Sequence, residues 1–151
     1  VLLESLNRVV ERNVDPSMFI TMFYGMYNYE QHVFSYASAG HEPGFYYDGE
    51  KNEFTEITAR GLMLGIDKKT KYIQYEKNVN PGDMIILFSD GVTECRTDEG
   101  FVEKDTLLEF IKKYIHLSAQ GIVDSIFKDI EKLQNFQLRD DFTLIILKRG
   151  V

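Results

Sequence analysis

An α+β fold with antiparallel strands is predicted here by three features of the sequence. Met18–Tyr29 and Gln31–Ala39 are stretches of β-branched, aromatic and small residues separated by a short polar step at Glu30, the pattern of a β-hairpin. Met84–Phe88 is apolar at all its positions and bounded by turn signals, which reads as a strand buried on both faces; Phe142–Leu147 is a second run of the same design. Two amphipathic helical stripes stand between those runs. The order of strands, helix pair and strand is not the βαβ alternation of a parallel sheet.

Each element has a local reason. Leu2, Leu3, Leu6, Val9 and Val10 have helical spacing from the first residues onward. No capping residue precedes them, so the chain is expected to be a fragment whose upstream part is missing. Asp15-Pro16 ends that helix near Asn13. In the second hairpin strand Val33, Ser35 and Ala37 alternate with Phe34, Tyr36 and Ser38, giving a small face and a larger one. Ser38–Gly44 (SAGHEPG) breaks the strand. Phe45–Tyr47 then pairs with Glu53–Thr58 across the turn-rich Asp48–Asn52. Gly61–Ile66 is a Gly-flanked apolar loop, and Lys71–Val79 alternates as a further strand that Pro81-Gly82-Asp83 turns into Met84–Phe88. Leu107, Leu108, Phe110, Ile111, Tyr114 and Ile115 define one helix, with Lys112 and Lys113 on its wet side. Ser118 caps the next, where Ile122, Val123, Ile126, Phe127, Ile130 and Leu133 face inward and Lys128, Asp129, Glu131 and Lys132 read as a solvated face.

The chain's 151 residues fit one domain, and 44% hydrophobic content with 11 Phe and 9 Tyr supplies a core. A net charge of −7 argues against nucleic-acid and anionic-membrane partners. No apolar stretch approaches the ~18 residues of a membrane span, and no signal peptide is visible. The single cysteine, Cys95, rules out an internal disulfide and fits a cytoplasmic location. His32, His41 and His116 are far apart, and no zinc spacing is present.

Candidate chemistry gathers at two acidic tips. Asp90 follows its buried strand, whereas Asp140 and Asp141 precede theirs. Antiparallel pairing of the two strands would bring all three carboxylates to one sheet end. Such a set, with no histidine or thiolate, is a hard oxygen site for Mg²⁺ or Mn²⁺, ions suited to phosphate chemistry. A charged strand entry, with Arg139 pairing one Asp, and a solvated Asp-Gly turn at Asp90-Gly91 are the plainer readings, and the pattern alone leaves these open.

FSDGVTE at Phe88–Glu94 and RDDFT at Arg139–Thr143 resemble signature segments of the metal-dependent protein phosphatase (PPM) family. SAGHEPG narrows the resemblance to its bacterial SpoIIE/RsbU branch, nearest the RsbU-like members, and the order of motifs extends it over essentially the whole chain. The resemblance implies a four-layer α-β-β-α sandwich of antiparallel sheets, with residues 1–151 as the C-terminal portion of one phosphatase domain lacking its first strands and helix. It implies a serine/threonine phosphatase with two Mn²⁺ or Mg²⁺ ions, in which a metal-activated water rather than a side chain attacks phosphorus. Asp90 and Asp140 match ligand positions, and Asp141 a neighbouring one. The implied substrate is a serine-phosphorylated anti-anti-sigma factor of the STAS fold, whose dephosphorylation activates a general stress sigma factor. An activator protein would act through a separate N-terminal region, and a homodimer of the intact protein is compatible with the resemblance.

The family's G-D-x-x-D segment has no counterpart in this sequence, so these residues alone are expected to show little turnover. His41 is a candidate general acid, though loop-shaping hydrogen bonds are the better account of it. Gly61 and Gly65 either bring backbone near the site or make turns, while Gly91 lets the chain leave the strand end tightly. Cys95 does not fit a covalent mechanism, because C-x₅-R would need arginine where Phe101 stands. The competing function is a non-catalytic phosphatase-like module that binds a STAS-domain partner.

Overall fold

The computed structural model describes residues 2–15, 17–93, 96–97, 100–101, 104–133 and 141–150. In chain order the elements are α1 (Leu2–Asn13), β1 (Met22–Asn28), β2 (Val33–Ala39), β3 (Gly44–Asp48), β4 (Glu53–Ile57), β5 (Tyr75–Asn78), β6 (Met84–Phe88), α2 (Asp90–Thr93), β7 (Arg96–Thr97), β8 (Gly100–Phe101), α3 (Lys104–Tyr114), α4 (Ala119–Leu133) and β9 (Leu144–Lys148). Contacts divide them into two compact units, Val1–Pro43 with Ile57–Asn80, and Gly44–Glu56 with Pro81–Val151.

In the first unit β1, β2 and β5 form an antiparallel sheet in the order β1-β2-β5. The predicted hairpin is there, running from Met22↔Ala39 to Asn28↔Val33. Its small face has a purpose: Ala37 and Ala39, with Met22, leave room for Leu3, Leu6 and Val10 of α1 to pack beside Leu64. The opposite face is aromatic. Phe23, Phe34, Tyr36 and Tyr75 stack in succession at centroid distances of 5.6–6.5 Å. The register requires that alternation, since residues of one parity share a face. Regular pairing in β5 covers only Tyr75–Asn78, shorter than the alternation of Lys71–Val79 suggests, and Tyr75 joins β2 through its stack on Tyr36.

The second unit holds the sheet β4-β3-β6-β9. Met84, Ile85 and Ile86 are at most 1% exposed, so β6 is buried on both faces as its composition demands. Phe45, Tyr47, Met84, Ile86 and Phe88 pack against Leu107 and Ile111 of α3 and Ile122, Ile126 and Ile130 of α4. Burial of each such side chain is worth about 1.5–3 kcal/mol. Ser118 caps α4, its Oγ accepting the Gly121 N–H at 3.1 Å. Lys148 Nζ closes the end of α3 by donating to the carbonyls of Ile115 and Leu117 at 2.6 and 2.7 Å.

Two expectations are corrected. Asp129 is not merely part of a solvated face: it accepts from Lys113 at 2.9 Å and the Tyr114 hydroxyl at 2.5 Å, tying α3 to α4, and those donors hold its pKa below the usual carboxylate value. In β9, Ile145 is 56% exposed despite the apolar run. Among the described residues that strand pairs only with β6, at the outer position of its sheet.

Asp83, 1% exposed, accepts the Tyr46 hydroxyl at 2.5 Å and the Gly49 N–H at 2.8 Å. Burial, and then the Asp83 carboxylate, raises the Tyr46 pKa well above its ordinary value of 10.0. A phenol with a raised folded-state pKa contributes stability that is complete below the unfolded value and lost as pH rises through the folded one. Tyr46→Phe should therefore cost about 1–3 kcal/mol near neutrality. It should also flatten the fall in Tm above about pH 10. Thermal melts at neutral and alkaline pH check both; equal pH slopes for the two proteins would refute the linkage.

Candidate functional site

Strands β6 and β9 are antiparallel, with Phe88 opposite Leu144. The pairing continues past both strand ends. Ser89 N–H donates to the Thr143 carbonyl at 3.0 Å, and Thr143 N–H donates back to Ser89 Oγ at 3.1 Å. The chain beyond Ser89 then enters the single helical turn α2, where the sequence suggested only a turn. Gly91 lies directly on the other segment: a Cβ there would stand 2.0 Å from the Asp141 carbonyl oxygen. Only glycine permits that approach.

Asp90 and Asp141 are consequently at the same end of the sheet, and both are exposed. One Asp90 oxygen accepts the Gly91 N–H at 2.9 Å. The donors are oxygens alone, which fits Mg²⁺ or Mn²⁺ better than zinc or copper. Asp140, the other acidic candidate, lies outside the described residues, as do Glu94, Cys95 and Arg139. Among the described residues no three His, Cys, Asp or Glu side chains are grouped closely enough to hold an ion. The fit to a metal is thus in donor chemistry, with Asp90 and Asp141 as the described candidates.

His41, Gly61 and Gly65 belong to the other unit. Ser38 Oγ accepts the His41 N–H at 3.2 Å, and Thr21 Oγ1 is 3.4 Å from His41 Nδ1, so the imidazole sits on a hydrogen-bonded loop. Beside it is a cavity of about 140 Å³ bordered by Phe23, Ser38, His41, Pro43, Ile57 and Thr58. Gly61 packs on that loop, a Cβ there falling 2.0 Å from the Ser38 carbonyl oxygen, and Gly65 has a left-handed φ of +94°. In the second unit a groove of about 440 Å³ lies along α4 and β9, lined by Val123, Phe127, Phe142 and Leu144 with Lys128 and Glu131 at its margin.

Two contributors escaped the sequence reading. Ser89, inside the motif, pins the junction through its hydroxyl; its position after an apolar run was the available signal. Asn7 interrupts the apolar stripe of α1 and is wholly buried. A polar residue in phase with Leu3 and Val10 was the clue.

No helix among the described residues is long and apolar enough to cross a membrane. The family model for stage II sporulation protein E (SpoIIE) matches residues 1–150. Phosphoserine phosphatase RsbU of Bacillus subtilis (strain 168) is 56% identical over 150 residues, covering 99% of this chain and 45% of RsbU. The chain thus spans less than half the length of that relative. Among solved structures, the manganese-presoaked phosphatase domain of SpoIIE from Bacillus subtilis superposes with a TM-score of 0.67 at 18% identity, over 99% of this chain and 64% of the other. The RsbU and RsbW domains of Rv1364c from Mycobacterium tuberculosis give a TM-score of 0.68 at 22% identity, over 98% of this chain and 41% of theirs. These likenesses establish the fold.

Proposed function

The chain belongs to the SpoIIE family, and on that premise we propose that this protein is a metal-dependent phosphoprotein phosphatase, with these residues as the C-terminal part of one phosphatase domain. The observation that carries the proposal is the β6–β9 junction, where hydrogen bonds at Ser89 and the bare Gly91 put Asp90 and Asp141 at one sheet end. Asp90, Asp140 and Asp141 are the residues assigned to hold Mn²⁺ or Mg²⁺. An ion held there would supply positive charge to the phosphate and make a water more acidic. The chain's own part is to hold carboxylates in place: Ser89 fixes the strand end, Gly91 allows close approach, and Asp90 is oriented by the Gly91 amide. His41, Gly61 and Gly65 are assigned to loops that border the substrate.

The substrate class is phosphoserine on a STAS-type anti-anti-sigma factor, in a general stress pathway of the cytoplasm, with an activator acting on a separate N-terminal region. Support comes from the 56% identity to a protein named phosphoserine phosphatase, and from a relative that carries RsbU and RsbW domains. The test uses the complete protein with a serine-phosphorylated STAS protein and Mn²⁺. Phosphate release that stops on chelation and returns with Mn²⁺ is the expected result. Binding of the STAS protein without any release would replace this reading with that of a non-catalytic docking module.

A further inference from the structure

We propose that Asn7 is a positioning residue that locks the Gly61–Asp67 loop, and through it the Ser38–His41 loop, to helix α1. The proposal rests on the phosphatase reading only for its kinetic readout. Asn7 is fully buried, and both ends of its carboxamide are used. Nδ2 donates to the Asp67 carbonyl and Oδ1 accepts the Gly65 N–H, each at 2.8 Å and across about sixty residues of sequence. Gly65 turns its amide toward the helix in a left-handed conformation, with Val10 Cγ1 3.0 Å from where a Cβ would be.

The loop passes the constraint on. Leu64 exchanges backbone hydrogen bonds with Ile20 at 2.9 and 3.1 Å. Met63 Cγ occupies the space a Cβ on Gly40 would need, at 2.4 Å, and Gly61 lies against the Ser38 carbonyl. Ser38 in turn holds the His41 amide. An unbroken series of contacts therefore runs from α1 through Asn7, Gly65, Met63 and Gly61 to His41. Close-packed groups of this kind have few alternative arrangements, so a shift of α1 either carries both loops with it or leaves buried polar groups unpaired. The test perturbs one end of this series and reads the other.

Asn7→Ala and Asn7→Asp are made in the complete protein. Asn7→Ala is expected to speed exchange of the Gly65 amide by about tenfold or more while the Ile86 and Ile146 amides keep their protection. The His41 imidazole resonance should move, and kcat on a phosphoserine peptide should fall by about tenfold with KM within about twofold. Asn7→Asp keeps the acceptor but sets a carboxylate against the Asp67 carbonyl. Protonation restores a donor, so its kcat relative to wild type should recover as pH is lowered. Wild-type exchange at Gly65 with an unmoved His41 resonance would overturn the lock. So would exchange accelerated equally through β6 and β9, whereas an unchanged kcat with the loop released would overturn the positioning role and leave the lock standing. Should Asn7→Ala not fold, Asn7→Asp decides the matter. A wild-type protein without turnover would sink the phosphatase reading and leave exchange and resonance to judge the lock.

Discussion

Asp90→Asn in the complete protein is expected to reduce Mn²⁺-dependent phosphoserine turnover by two orders of magnitude or more, on the order of what loss of a metal ligand costs. The substitution is isosteric, and Asp90 is exposed, so folding should be unaffected. Asparagine can still accept the Gly91 N–H that Asp90 Oδ1 now receives at 2.9 Å. What it lacks is the charge that a divalent cation requires. The apparent metal affinity measured by titration calorimetry should weaken in step with activity, and excess Mn²⁺ should restore part of the rate. Turnover within about twofold of wild type would remove Asp90 from the assigned ligand set.

Gly91→Ala is expected to damage both fold and activity. The new methyl would sit 2.0 Å from the Asp141 carbonyl oxygen, and no rotamer change can relieve a clash between two backbones. The β6–β9 end must separate, straining the Ser89–Thr143 hydrogen bonds at 3.0 and 3.1 Å. A destabilisation of about 2–3 kcal/mol follows from overpacking of this kind, together with loss of turnover comparable to that of Asp90→Asn. Urea unfolding and the phosphatase assay measure the two effects. A stable and active Gly91→Ala protein would show that the junction tolerates opening and that its tightness is not what places the carboxylates.

The two variants separate charge from geometry. One removes an assigned ligand and leaves the scaffold intact; the other keeps every carboxylate and disturbs only their spacing. Similar losses of turnover with different stabilities would tie the chemistry to the strand ends themselves.

Much of this architecture was legible in the amino-acid order because local physics writes it there. Leu3, Leu6 and Val10 repeat with the helical period, Met84–Phe88 can satisfy its apolar surface only in the middle of a sheet, and Ser118 offers an oxygen to free amides. Periodicity says which face is buried, and it does not say against what. Tertiary structure alone decided that Tyr75 stacks on Tyr36, that Asp129 bridges two helices and that Ile145 remains exposed. The same holds for Asn7, whose partners at Gly65 and Asp67 lie about sixty residues away. A hydrogen bond depends on distance and direction between groups the chain brings together only on folding, whereas burial periodicity is a property of neighbours along it.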